Sequence, residues 1–344
     1  MSIRFHFLPA GSGDSILIQT DDFVILVDSG DPNDDIAEEL KEKITDALGD
    51  TKINWIILTH IDDDHIGGMK ILLNDDEFLA LLAQDCKIWM NYPNGNTTIF
   101  DCENSSSLIS YSNADRLKDL VDKKIIQHVD KVHIEEYQER VLAGNHVYLE
   151  IISPNHRKLE RLINTWSKYT KSKMISAPFL LSDYNQSLSF LTGEPDNKAC
   201  SSIPNGSSIA FILTYLDESK KENKFLFLAD SHTGIIRKSL ENKGYSESNP
   251  IIVNFVKISH HGSKYNTNRK LMSLIDSENF IFLTDDNLFL PHKKTIERII
   301  NRKHNKKSKT NLIFNYECTT KKLISDKCIS IANINITHQD FIEY

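Results

Sequence analysis

The sequence predicts an α/β fold, and three observations predict it. Apolar runs of strand length end in polar tips at NWIILTH (54–60), KFLFLADSH (224–232) and IVNFVKISHH (252–261). These runs are continuous rather than alternating, the pattern of strands buried on both faces. A segment of helical period, with Ile36, Leu40, Ile44 and Leu48 on one face, follows the first strands.

Taken in order, RFHFLP (4–9), SILIQT (15–20) and FVILVDSG (23–30) read as three strands punctuated by Gly11, Gly13 and Gly30. A helix over Asp34–Leu48 comes next, then the buried-type strand NWIILTH, then the acidic cluster IDDDH and a helix over Gly68–Leu73. Polar groups at the carboxyl end of a strand, followed by a helix, stand where α/β folds place their chemistry. The region 90–205 predicts two charged helices, near 114–124 and 156–173, with the strand HVYLEIIS (146–153) between them. SSIPNGSS (201–208) reads as a loop, IAFILTYL (209–216) as a strand, LMSLIDS (271–277) as a helix, FIFLT (280–284) as a strand and TIERIINRKH (295–304) as a helix.

A chain of 344 residues with 40% hydrophobic and 26% charged residues has the composition of a globular protein with a sizeable core. The N-terminus lacks the apolar core of a signal peptide, and no apolar run reaches the roughly 18 residues that a spanning helix needs. The expectation is a soluble, cytoplasmic protein with no membrane partner. Cys86, Cys102, Cys200, Cys318 and Cys328 show no CxxC pairing, which predicts five structural thiols in a reducing compartment. A net charge of −8 disfavours generic polyanion binding. The basic run Arg302–Lys309 is the local exception, a solvated loop or a phosphate-attracting surface.

The chemistry concentrates in His60-Ile61-Asp62-Asp63-Asp64-His65-Ile66-Gly67-Gly68. Four potential ligands, His60, Asp62, Asp64 and His65, fall within six residues at a strand end. Such groups repel one another unless a cation sits among them. Their convergence predicts a tight turn, with Gly67-Gly68 letting the backbone enter a helix.

HIDDDHIGG resembles the HxHxDH signature of the metallo-β-lactamase superfamily, with Asp62 in place of the second histidine. The variant HxDxDHxGG resembles the hydrolase domain of ComEC, the DNA-uptake channel, and its free-standing relatives. AGSGDSILI and ILVDSG, EIISP (150–154), NGSSIAFIL (205–213), FLFLADS (225–231) and VKISHHGS (256–263) look like further motifs of that group in the same order, together spanning roughly residues 1–295. The resemblance implies an αββα four-layer sandwich, read as one elaborated domain over 1–344 with insertions within 90–205 and a C-terminal extension from about 300 to 344. It implies two divalent ions, Mn²⁺ or Zn²⁺, the oxygen-rich set favouring Mn²⁺. His60 and Asp62 would hold the first ion, Asp64 and His65 the second; Asp230 would bridge, and one of His260 and His261 would complete the second site. The third histidine of the first site is missing: the matching stretch offers only Asn205, Ser207 and Ser208, and His156 and His232 are spare candidates outside the motif.

Two such ions about 3.5–4 Å apart lower the pKa of a bridging water and hold a phosphoryl oxygen, with Asp64 as a catalytic residue. His292 is expected to assist the leaving group or bind phosphate, and Ser263, Lys264, Asn205 and Ser208 to contact substrate. The reading is a metal-dependent phosphodiesterase or nuclease acting on a phosphodiester, with nucleic acid as a candidate partner. A small-molecule ester, lactone or phosphoester hydrolase is the alternative; a weakly active subunit gated by a co-operating protein is a third.

Overall fold

The computed structural model describes residues 2–92, 106–124, 126–169, 182–196, 198–285, 289–302, 309–319 and 334–344. β1 (Arg4–Phe7), β2 (Ile16–Gln19) and β3 (Val24–Val27) form an antiparallel meander. Asn33 then caps α1 (Asp34–Leu48): its side chain accepts from the amides of Asp35 and Ile36, and two aspartates favour the first turn. That helix returns the chain so that β4 (Ile53–Leu58) lies parallel to β3. α2 (Asp63–Leu72) and α3 (Asp76–Leu79) lead to β5 (Leu82–Met90), and α4 (Ser106–Lys123) leads to β6 (Gln127–Val129), both parallel additions to the sheet.

A second sheet opens with the hairpin β7 (Val141–Gly144) and β8 (Val147–Ser153). After α5 (His156–Tyr169), α6 (Leu188–Gly193) and α7 (Ile203–Gly206), it adds the antiparallel strands β9 (Ala210–Leu216) and β10 (Glu222–Phe227). α8 (Thr233–Asn242) and the short β11 (Ile251–Ile252) precede β12 (Phe255–Lys257), parallel to β10. After α9 (Arg269–Met272), β13 (Ile275–Asp276) pairs with β11. β14 (Asn279–Phe282), then α10 (Lys293–Ile300), β15 (Thr310–Phe314) and β16 (Ile334–His338) extend the parallel half, and β17 (Phe341–Glu343) crosses to pair with β1.

Strand alternation sorts the apolar side chains into three layers. Leu17, Leu26, Ile56, Leu58 and Ile88 face out against Leu40, Ile44, Met69, Leu117 and Trp166 of the helices. Their neighbours Ile16, Ile25, Val27, Trp55, Ile57 and Trp89 face in, against Phe211, Phe225, Phe227 and Phe255 of the second sheet. Phe5 bridges the sheets, its ring centroid 4.6 Å from Phe225 and 4.8 Å from Phe255. On the far side Leu226, Val256, Phe280 and Leu312 pack against Ile236, Leu240, Ile296 and Ile299. Three apolar layers between four layers of structure are the expected αββα sandwich.

Several elements differ from the sequence expectation. α2 starts at Asp63, not Gly68: Asp62 holds an extended conformation at the cap, and the acidic residues sit in the first turn, where the helix dipole favours them. The tight-turn role expected of Gly67 and Gly68 is replaced by close packing. A Cβ on Gly68 would lie 2.1 Å from Ser29 O, and one on Gly67 2.5 Å from Pro32 N. SSIPNGSS contains the one-turn α7, whose Ser202 hydroxyl accepts from Asn205 N. LMSLIDS divides into the end of α9 and β13. The helix expected over 156–173 is α5 as far as Tyr169, and the remaining residues of that expectation lie outside the described ones. Among the described residues, no helix is long and apolar enough to cross a membrane.

Candidate metal centre

Both sheets deliver polar residues to one edge of the sandwich. Beyond Leu58, β4 gives way to Thr59 and His60, both buried, and α2 presents Asp64 and His65 one turn later. Asp63, in the middle of the acidic triplet, turns the other way and accepts from Asn113 Nδ2 at 2.7 Å. The β1–β2 loop presses on this turn: a Cβ on Gly13 would stand 1.6 Å from Asp64 O, so glycine alone fits there. From the second sheet, Asp230 follows β10 and is buried, while His260 and His261 follow β12. Both histidines have φ of +51°, a left-handed conformation that costs energy in a non-glycine residue and marks a constrained site.

Hydrogen bonds decide which nitrogen each imidazole offers. His65 Nδ1 lies 2.8 Å from Asp28 Oδ2 and therefore carries a proton. Thr59 Oγ1 donates to Asp28 Oδ2 at 2.7 Å, so it accepts from His60 Nδ1 at 3.1 Å. His261 Nδ1 donates to Leu283 O at 3.0 Å and lies 3.1 Å from Asp14 Oδ1. Asn266 Nδ2 donates to Asp230 O and Ser231 O, which aims its Oδ1 at His260 Nδ1, 2.9 Å away. All four rings are thus protonated at Nδ1 and turn the Nε2 lone pair inward, the way histidines are held for metals.

Those Nε2 atoms converge on carboxylates. His65 Nε2 is 3.5 Å from Asp230 Oδ1 and 3.8 Å from Asp64 Oδ2, and His261 Nε2 is 3.2 Å from Asp64 Oδ2. His60 Nε2 is 3.8 Å from Asp230 Oδ2 and 3.5 Å from Asp62 Oδ2, while His260 Nε2 is 3.5 Å from Asp230 Oδ2. Most of these exceed a hydrogen bond. Four of the six fall within the roughly 3–3.6 Å that separates ligands about 2.0–2.2 Å from a common ion at tetrahedral or octahedral angles, and the two at 3.8 Å are slightly longer. His60 Nε2, His65 Nε2 and Asp230 Oδ1 are buried with no hydrogen-bond partner. The donor atoms of His60, His65 and Asp230, and those of Asp64, His65 and His261, lie within 4.8 Å of one another. A set of lone pairs without donors fits cations.

The electrostatics agree. Burial works against charged imidazoles, yet Asp230, Asp64 and Asp28 hold His65 well above its usual 6.5. In the same way burial opposes and Asp230 raises His260, to about 9, and Asp14 and Asp230 raise His261 to about 10. Asp64 and Asp230 fall below the usual carboxylate range because the facing imidazoles outweigh their desolvation. The cluster draws positive charge, which protons or metal ions can supply in competition.

The remaining expected residues are placed unevenly. Asn205 is in the cluster, donating from Nδ2 to Asp230 Oδ2 at 3.2 Å. The buried Ser208 has its carbonyl taken by the Ser231 hydroxyl, and Ser207 donates to Pro204 O. Ser263 is buried, and the Lys264 ammonium lies 3.5 Å from Asp183 Oδ2. His292, at the start of α10, is buried rather than solvent-exposed; its Nδ1 accepts from Lys264 N at 3.3 Å. His156 pairs with Glu160 in solvent, and His232 Nδ1 accepts from Lys158 Nζ at 2.9 Å. Of the basic run, Arg302 is buried and donates to Ser277 O at 2.7 Å, so it is no part of a phosphate-attracting surface; 303–308 lie outside the described residues.

Three residues around the centre were missed from sequence. Asp28 holds His65, Asp14 holds His261, and the buried Lys257 ammonium pairs with Asp14. The signal was present in AGSGDS and ILVDSG, whose aspartates look like turn residues until the fold brings them under the histidines. The expectation of structural thiols suits Cys86, which burial pushes up to about 12. It does not suit Cys200: burial raises the thiol, but His232 and His260 bring it down to about 6. Cys102 and Cys328 lie outside the described residues.

Residues 8–77 match the sequence pattern of the Metallo-beta-lactamase superfamily, which supports that superfamily. No curated protein matches the chain. Similar solved structures include a diphosphatase from the PhnP family (12% identity, all of this chain and 98% of the other, TM-score 0.45). YhfI from Bacillus subtilis is another (10% identity, 100% and 99% covered, TM-score 0.42), as is the metallo hydrolase Igni18 from Ignicoccus hospitalis (10% identity, 100% and 99%, TM-score 0.39). With two large mixed sheets between helical layers and a histidine–aspartate cluster at their shared edge, the chain has the metallo-β-lactamase fold.

Proposed function

We propose that this chain is a metal-dependent hydrolase of phosphodiesters, a free-standing ComEC-like enzyme built as one elaborated domain and acting in the cytoplasm. The observation that carries the reading is the inward convergence of four Nε2 lone pairs on Asp62, Asp64 and Asp230. In this reading Asp64, His65 and His261 hold one Mn²⁺ or Zn²⁺ ion, His60, Asp62 and His260 hold the other, and Asp230 serves both. The two ions, when bound, supply Lewis-acid charge at the phosphoryl oxygens and an activated water.

The protein supplies orientation. Asp28, Thr59, Asn266 and Leu283 O fix the four imidazole rings through their Nδ1 protons, so little rearrangement accompanies the reaction. His292 Nδ1 accepts from the Lys264 amide, which leaves Nε2 as the nitrogen from which this ring would offer a proton to a leaving group. Lys264 and Ser263 follow the histidine pair directly and are the proposed contacts to the substrate anion. The motif order HIDDDHIGG, FLFLADS and VKISHHGS supports a phosphodiester over other esters. The net charge of −8 favours a small ester over a polynucleotide and keeps a small-molecule hydrolase as the second reading.

The test is hydrolysis of bis(p-nitrophenyl) phosphate with added Mn²⁺ by the wild type and by Asp64→Ala, followed by DNA and RNA. Turnover lost in Asp64→Ala supports the reading. Bound metal without phosphodiester turnover, together with hydrolysis of a carboxylic ester, would replace it with the second.

A further inference from the structure

The segment 182–196 ties the loop after the histidine pair to the start of α10, and its three carboxylates make the ties. Glu194 Oε2 lies 3.1 Å from Lys294 Nζ. Asp196 accepts from the Arg269 amide at 2.8 Å and pairs with Arg298. Arg298 in turn donates to Lys264 O at 2.6 Å, so the backbone after the histidines is held to α10 without help from the third carboxylate, Asp183.

Asp183 is buried, which costs a carboxylate its hydration unless donors replace the water. Lys293 N donates to Oδ1 at 2.7 Å and Lys294 N to Oδ2 at 3.3 Å, while the Lys264 ammonium lies 3.5 Å from Oδ2. His292, at the cap of α10, makes no side-chain capping bond. A carboxylate 110 residues before Lys293 caps the helix instead, with the sign its dipole favours. The two oxygens divide the work: Oδ1 serves α10 alone, and Oδ2 is shared between the helix and Lys264. The Lys264 side chain keeps about one fifth of its surface exposed, and its amide donates to His292 Nδ1 at 3.3 Å. Its ammonium is therefore placed beside the helix start without being enclosed.

We propose that Asp183 is a positioning residue for the substrate anion, acting through Lys264. It fixes the ammonium before substrate arrives, so less side-chain freedom is lost on binding. The same carboxylate holds the first turn of the helix that His292 opens. This inference rests on the phosphodiesterase reading, in which Lys264 contacts the anion, and it adds what gives that lysine its place. An asparagine at 183 still accepts from Lys293 N, but it lacks the charge and turns an amide nitrogen toward Lys294 N and the ammonium, both of them donors.

The experiment is a double-mutant cycle on the full chain. KM and kcat for bis(p-nitrophenyl) phosphate with Mn²⁺, and urea midpoints, are measured for wild type, Asp183→Asn, Lys264→Met and the double variant. Asp183→Asn should raise KM about tenfold and leave kcat within about twofold, the mark of a contact made equally to substrate and transition state. In the Lys264→Met background the same substitution should leave KM within about twofold, because the group it acts through is gone. The same dependence on Lys264 is expected of Asp183→Glu, which keeps the charge and takes the place of Asp183→Asn in the cycle if that variant does not fold. An unchanged KM in the single variant, or an equal rise in both backgrounds, overturns the role of Asp183 and leaves the phosphodiesterase reading standing. Absence of phosphodiester turnover in the wild type overturns that reading and this inference with it.

Discussion

Asp28 Oδ2 lies 2.8 Å from His65 Nδ1 and accepts the Thr59 hydroxyl at 2.7 Å, so one buried carboxylate sets two imidazoles at once. The second is His60, whose Nδ1 reaches Asp28 through Thr59 Oγ1. Asp28 is itself held by Thr59 N at 2.7 Å, at the end of a strand parallel to the one that carries His60. Orientation therefore passes from strand pairing to carboxylate to ring.

Replacing that carboxylate should cost metal affinity before it costs the fold. For Asp28→Asn, divalent-ion affinity is expected to fall about 10–100-fold, as is usual when the partner of a ligating histidine is lost. A chelator competition titration reads this directly. Unchanged affinity would mean that Asp28 is only a structural group.

Gly13 faces Asp64 across the tightest approach in the site, with 1.6 Å between its would-be Cβ and Asp64 O. Gly13→Ala must therefore displace the first turn of α2, at a cost of about 1–3 kcal/mol or more. Gly234→Ala is the control, since nothing lies within 4 Å of its would-be Cβ. Urea midpoints compare the two; equal stability would show that the β1–β2 loop yields without effort.

Acid should weaken the metal-free protein through Asp14. Burial raises this carboxyl, but the Lys257 ammonium and His261 outweigh it and hold it at about 2, below its ordinary 3.8. A depressed acid pKa stabilises the fold above the unfolded value, and that stability, here about 2 kcal/mol, is lost as pH falls from 3.8 through about 2. Unfolding free energies across this window, compared with an Asp14→Asn/Lys257→Met double variant, should show the extra pH dependence in the wild type alone. Parallel curves would remove Asp14 from the account.

Much of the site was legible because metal ligands are chemically unusual where they stand. A buried-type strand ending in IDDDH needs an explanation that a surface loop does not, and Asp230 and the His260–His261 pair occupy the same position after two other apolar runs. What misled was local conformation. Gly67 and Gly68 suggested a turn, whereas they lie within α2 because Ser29 and Pro32 pack against that helix face. Two strands toward the ends of the first sheet were harder still. β5 carries Asp85 and Lys87, and β17 has three residues, so neither shows an apolar period, and each is held by its neighbour in the sheet.

By itself the sequence determined the α/β class, the apolar strands and the residues able to bind cations, because hydrophobic period and ligand chemistry are properties of neighbouring residues. Tertiary structure alone decided which of them work together. The choice between Asp63, turned to Asn113, and Asp64, turned to His261, depends on the face of α2 that packs on the first sheet. The Nδ1 partners Asp28, Asp14 and Asn266 depend on contacts between segments distant from their histidines or on the folding of one loop onto itself. A residue's neighbours along the chain constrain its backbone, but the protonated nitrogen of an imidazole is set by whatever the fold puts against it.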